Sequence, residues 1–171
     1  MPHVKPLSLD EAPEDSKPIL NAIEDKFGQS LNIFSTAAYQ PDLLGGMTQI
    51  NDGIQNDLPG KFRELAYYKA SQINSCDYCS HYHRGAAKQA GLSDEQLAAI
   101  DSHASSDLFD DQEKAVLTYA QQLTESAKVD NGTVAELKKF LNDKQLVSLA
   151  GAVALANFTN RFNHGLDIQL P

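Results

Sequence analysis

The stretch LVSLAGAVALANF, residues 146–158, constrains the fold most: it is apolar on most sides and broken only by Ser148 and Asn157. At 13 residues it is too short to cross a bilayer, so it predicts a central core helix, in a helix running from about Asp143 to Phe162. Other segments carry apolar residues at helical spacing to pack beside it. Ile19, Leu20, Ile23 and Phe27 follow Pro18 and stop at Gly28. A short helix ending before Pro41 and another over about 42–56, with Leu43, Leu44, Met47 and Ile50, come next. A helix from near Pro59 to Ile73 turns Phe62, Leu65, Ala66 and Ala70 inward, and one after Asn74 or Ser75 ends at Gly91. Further helices carry a capping-box pattern at Ser93 and Gln96, the apolar set Ala115, Val116, Tyr119, Ala120 and Leu123, and a second box pattern at Thr133 and Glu136. No alternation typical of strands and no internal repeat is present, so the expectation is all-α, a helical bundle of roughly eight helices.

A chain of 171 residues has the size of one domain and can bury a core without disulfide or metal support. Residues 1–15, with Pro2, Pro6 and Pro13, read as an N-terminal arm, and residues 16–171 as the helical domain. Asp and Glu number 23 against 14 Lys and Arg, a net charge of −9. That surface repels nucleic acid and anionic membranes, so neither is expected as a partner. The N-terminus lacks an apolar signal segment, and the expected location is cytoplasmic.

Both cysteines fall in one unit, CDYC. Two cysteines cannot form a disulfide framework, and in a chain without an export signal such a pair points to redox or metal chemistry. On a helix Cys76 and Cys79 share a face, and His83 lies four residues beyond Cys79 on that face. Near a helix start, unpaired N–H groups and the helix dipole favour thiolate. A thiolate beside a base is what peroxide reduction or disulfide exchange requires. Cys79, nearer His83, is assigned as nucleophile and His83 as its base. Cys76, nearer the helix end, is then the resolving thiol and the more accessible to a reductant. The reverse assignment stands as an alternative, since in thioredoxin-like helices the earlier cysteine attacks.

Other readings of the pair are a zinc site completed by His81 or His83, disfavoured because one helical face does not easily surround a tetrahedral ion, and an inert pair of core thiols. His81, offset by two residues, turns away from the pair and reads as a surface or interface residue. His3, His103 and His164 have no local constellation. Glu64, in the preceding helix, is the candidate acid to orient and charge His83. Tyr67, Tyr68, Phe34, Met47 and Phe158 are candidate pocket-lining residues.

The segment ELAYYKASQINSCDYCSHYHRGAAKQAG resembles the carboxymuconolactone decarboxylase superfamily and its alkylhydroperoxidase D-like branch, whose signature is Glu, eleven residues, then C-x-x-C-x-x-x-H. Glu64, Cys76, Cys79 and His83 fall on it without a gap. The ending LVSLAGAVALANFTNRFNHGLDI is similar to the tail of peroxidase-related members. The resemblance implies a helical bundle assembling as a homo-oligomer (dimer, trimer or hexamer) with its site near a subunit interface. It implies thiol-dependent reduction of hydroperoxides, with no cofactor or metal, re-reduced by a dithiol such as a lipoylated protein or a small thiol. It also implies that Cys79 is peroxidatic and that Glu64 acts through His83. One position departs: Tyr78 stands where the well-studied branch has a second histidine, and a phenol supplies no base at neutral pH. The superfamily includes a lactone decarboxylase, a lyase that needs no cysteine pair and would want a cationic clamp, for which Arg63, Arg84 and Arg161 are the nearest residues. A non-catalytic zinc-binding or scaffold protein is the remaining alternative.

Overall fold

The computed structural model describes residues 1–170, and every regular element among them is helical. The helices are α1 (Lys17–Phe27), α2 (Asn32–Ala37), α3 (Pro41–Gln55), α4 (Gly60–Ile73), α5 (Asp77–Gln89), α6 (Asp94–Ala98), α7 (Asp111–Ser126), α8 (Asn131–Leu137) and α9 (Asp143–Leu166), with a 3-10 turn at Ile100–Ser102. The all-α expectation holds, with nine α-helices among the described residues against the roughly eight anticipated. Among the described residues no helix is long and apolar enough to cross a membrane.

Helix boundaries follow from end chemistry. Gly28 closes α1 in the left-handed conformation, φ 70°, and donates to the Glu24 carbonyl at 2.7 Å. Ser93 and Gln96 form the expected capping box on α6, each side chain accepting the other's backbone N–H at 3.1 Å. The box expected at Thr133 and Glu136 is not the start of α8. That helix begins two residues earlier, at Asn131, and Asp130 before it accepts a bond from Gln122 Nε2 at 2.9 Å. A box not anticipated, Asp110 with Glu113, starts α7. α9 runs past Phe162 to Leu166, because its end is made further on: Asp167 adopts φ 48° while Ile168 donates to the Asn163 carbonyl at 3.0 Å, a Schellman closure.

The chain divides into two compact units, one of residues 53–160 and one of Met1–Asp52 with the segment from Arg161 onward. In residues 53–160 the core is built from Leu65, Ala66 and Ala70 of α4, Val116, Leu117 and Ala120 of α7, Leu137 of α8, and Leu149, Val153 and Ala156 of α9, all fully buried. Burying such side chains contributes about 1.5–3 kcal/mol for each Val or Leu. The core gives α4 a fixed support along its length, and α4 carries Glu64. In the other unit the N-terminal arm packs on its own chain. His3 donates to the Leu166 carbonyl at 2.9 Å and Leu7 to that of Ser35 at 3.2 Å.

Candidate active site

The site lies in residues 53–160, where α4 turns back into α5. Asn74 caps the end of α4, Ser75 takes the left-handed conformation at φ 53°, and Cys76 donates its N–H to the Ser71 carbonyl at 2.9 Å. For a residue with a side chain that conformation is uncommon and unfavourable, so neighbouring contacts must hold the turn. The Asn74 amide supplies two, donating to Asn157 Oδ1 at 3.0 Å and Asn160 Oδ1 at 2.8 Å on α9. Asn160 in turn donates to Ser71 Oγ at 3.2 Å.

This arrangement corrects the expected cap. Neither Asn74 nor Ser75 caps α5, because the first is engaged with α9 and the second forms the turn. Cys76 is the N-cap, extended at φ −86° and ψ 92°, and its sulfur accepts the Cys79 N–H at 3.3 Å. The two sulfurs are within disulfide-bonding distance and the Cα atoms are 5.3 Å apart, inside the range of bridged cysteines. Cys79 sits in the first turn, where the helix dipole favours negative charge. The expectation that Cys76 is the more accessible thiol does not hold in this chain: Cys76 is 2% exposed and Cys79 4%, so both are buried.

α4 and α5 run antiparallel from this turn, with Gln72 Nε2 donating to Ser80 Oγ at 2.8 Å near it and Glu64 meeting His83 further along. His83 Nδ1 lies 2.8 Å from Glu64 Oε2. An Nδ1–H donated to the carboxylate leaves Nε2 as the ring nitrogen open to proton exchange. The other carboxylate oxygen, Glu64 Oε1, accepts from Arg63 Nε at 2.9 Å. Burial pushes the Glu64 carboxyl up, but the His83 hydrogen bond and charge, with those of Arg63, outweigh it and hold it below the usual carboxylate range. The Tyr67 ring lies flat against the His83 ring, centroids 3.6 Å apart and planes 16° from parallel.

Glu64, Cys76, Cys79 and His83 thus come from one helix pair, and the structure joins Glu64 directly to His83 and Cys76 to Cys79. Sequence reasoning missed that Arg63 engages Glu64 and that Tyr67 carries His83. The available signal was that Tyr67 stands three residues after Glu64, on the same face of α4. Tyr78, at the second-histidine position, is buried and packs on Tyr82 with centroids 5.0 Å apart. His81 is exposed and meets Tyr82 edge-on. Arg84 pairs with Asp94 at 2.7 Å on the surface, and Arg161 is exposed. Of the other proposed lining residues, Tyr68 and Met47 are buried, Phe34 stacks near Phe27, and Phe158 is 42% exposed. His103 is buried while His3 and His164 are exposed. Among the described residues no group of three or more His, Cys, Asp or Glu converges to hold a metal.

Fold and site together define an all-helical protein in which a C-x-x-C-x-x-x-H helix is backed by a glutamate from its antiparallel neighbour. Residues 41–122 match the sequence model of the Carboxymuconolactone decarboxylase family. Over that segment, just under half of its length, the chain is similar to that family, and solved structures named as peroxidase-related share its fold. It is 30% identical over 108 residues to the uncharacterized protein YnjA of Escherichia coli (strain K12), a match that spans 62% of this chain and 59%, less than two thirds, of that relative. An uncharacterized peroxidase-related protein with an alkylhydroperoxidase AhpD core, from Ralstonia eutropha JMP134, has the same fold at TM-score 0.84 and 20% identity, over 99% of this chain and 92% of that one. So does the debrominase Bmp8, as a cysteine-to-alanine variant in complex with 2,3,4-tribromopyrrole, at TM-score 0.83 and 22% identity over 98% and 91%.

Proposed function

We propose that this protein is a thiol-dependent peroxidase that reduces hydrogen peroxide or organic hydroperoxides through a Cys76–Cys79 dithiol/disulfide cycle. The observation that carries the reading is the Glu64–His83 hydrogen bond of 2.8 Å on the helix that begins with the cysteine pair. In the first step His83 takes the Cys79 thiol proton and the thiolate attacks the peroxide. The S–O bond forms as the O–O bond breaks, and the departing alkoxide takes the proton from the imidazolium, giving an alcohol and a sulfenic acid on Cys79. Cys76 then attacks that sulfur, a disulfide forms, and water leaves. An external dithiol, a lipoylated protein or a small thiol, reduces the disulfide by exchange and leaves oxidised.

The lyase alternative has less support, because Arg63 and Arg84, two candidates for binding a substrate carboxylate, are bonded to Glu64 and Asp94. A second reading is kept because of the debrominase that shares the fold. The same dithiol could supply two electrons to a carbon–bromine bond, with the arene taking hydrogen, bromide and a proton leaving, and the disulfide forming.

The test starts from reduced protein and one equivalent of hydrogen peroxide, cumene hydroperoxide or 2,3,4-tribromopyrrole in parallel. The expected result is peroxide consumption with an intact mass lower by about 2 Da, one disulfide per chain. Peroxide-resistant thiols would refute the reading, and oxidation by the bromopyrrole alone would replace it with the second.

A further inference from the structure

Resting on that reading, and going beyond its four residues, we infer that Tyr67, anchored by Thr159, is a positioning residue that fixes the plane of the His83 ring for its work with Cys79. The geometry is that of a shelf. The tyrosine face lies 3.6 Å from the imidazole, centroid to centroid, with the planes within 16°. Glu64 holds one edge of the imidazole at Nδ1, which defines a point but not a plane. A flat aromatic face beneath the ring supplies the missing restraint.

The shelf is itself fixed. The Tyr67 hydroxyl is hydrogen-bonded to Thr159 Oγ1 on α9. Thr159 Oγ1 also lies 3.0 Å from the Leu155 carbonyl and 3.1 Å from that of Ala156. A threonine hydroxyl has one proton, and these carbonyls can only accept, so Thr159 donates to its own helix and accepts from Tyr67. Tyr67 must therefore keep its proton, which fits the way burial, the largest influence on it, pushes its phenol well above the ordinary value. A neutral phenol ring keeps the negative face that attracts a cation lying over it, and the attraction grows when both partners are removed from water. Tyr67 is buried, and Glu64 places a carboxylate at the edge of the same imidazole. A ring held in one plane by these two contacts keeps its interaction with Cys79, four residues back on the same helix face, and that interaction favours the thiolate.

The experiment reads Cys79 alone, in reduced Cys76→Ser protein, by ultraviolet thiolate absorbance against pH, with the His83 ring protons followed by NMR. Stacking on Tyr67 should place those protons upfield of free imidazole. Tyr67→Leu should abolish the upfield position and move the thiolate titration to higher pH by about one unit, a tenfold loss of thiolate, within the range of a desolvated cation–π contact. Tyr67→Phe, which keeps the ring, should stay within about threefold of the parent. If Tyr67→Leu fails to fold, Thr159→Val decides: it should shrink the upfield displacement and shift the titration in the same direction. Unchanged His83 resonances and an unchanged thiolate curve in folded Tyr67→Leu, or in Thr159→Val if that must serve, would overturn the inference. Neither readout needs peroxide. Parent protein that shows the stacking and the shift yet consumes no peroxide would refute the peroxidase and leave the role of Tyr67 standing.

Discussion

Glu64 is under two opposed influences, since its burial disfavours charge while His83 and Arg63 favour it, and the second wins. His83→Gln keeps a hydrogen-bonding side chain of similar volume but removes the base. It should slow peroxide reduction at pH 7 by roughly a hundredfold or more, as loss of a general base does. Glu64→Gln should be milder, because the ring keeps a partner and loses only its charge. Stopped-flow peroxide consumption reads both, and an unchanged rate in His83→Gln would remove the histidine from the mechanism. The four residues were legible in sequence because their spacing is helical geometry: three and four residues along α5 mean one face. Arg63 was not legible as a partner of Glu64, since adjacent positions on a helix do not face each other and the contact depends on how the arginine side chain bends back. Tyr67 was named only as a possible lining residue, because an aromatic on a buried face of a helix is ordinarily core.

The element that matters most is the first turn of α5, and its cap is unusual. A cysteine sulfur takes the place that Ser, Thr, Asp or Asn usually fills. Serine at position 76 would cap at least as well, and alanine would not cap at all. In reduced protein, Cys76→Ala should therefore be less stable than Cys76→Ser by about 1 kcal/mol. For a chain of this size that is a gap of about 2–4 °C in thermal midpoint, measurable by calorimetry. Equal midpoints would mean that the sulfur contributes nothing as a cap. Ser93 with Gln96 was readable because a serine precedes the helix and no competitor stands nearby. Thr133 misled because Asp130, three residues earlier, stands where α8 actually starts. The cap of α5 was misassigned for a related reason: Asn74 has a good capping side chain, but Asn157 and Asn160 on distant α9 engage it, and no local pattern reveals a contact more than eighty residues away.

Across the whole molecule, two buried groups contribute to acid stability. His103 is held below the ordinary histidine value by burial, with its Nδ1 3.1 Å from the Ile100 carbonyl and its Nε2 3.3 Å from Thr118 Oγ1. The folded state therefore binds a proton there less readily than the unfolded chain. Its contribution to stability is full above about pH 6.5 and is lost as pH falls through the lower folded value. Glu64, also held low, adds a contribution that is full above about pH 4.3 and is lost as pH falls through its own folded value. The thermal midpoint should thus decline in two stages on acidification, and His103→Gln should flatten the upper stage alone. A parent midpoint unchanged between about pH 7 and pH 5 would exclude the histidine. Carboxylates stay largely ionised across that upper window, and the other histidines are common to both proteins, so comparing the parent with His103→Gln isolates His103. At this scale the all-helical architecture was legible, because every long apolar pattern has helical period. The division into two units was not, because its boundaries after Asp52 and Asn160 fall inside α3 and α9, where no linker composition marks them.

Both sulfurs lie almost wholly beneath the surface. Thiol–disulfide exchange requires the attacking sulfur to approach along a defined line, so its rate falls with access whatever the driving force. Under the proposed function, a peroxide is small enough to reach such a sulfur with less hindrance than a bulky dithiol, so re-reduction would be the slower half of the cycle, as a key turns more slowly in a narrow lock.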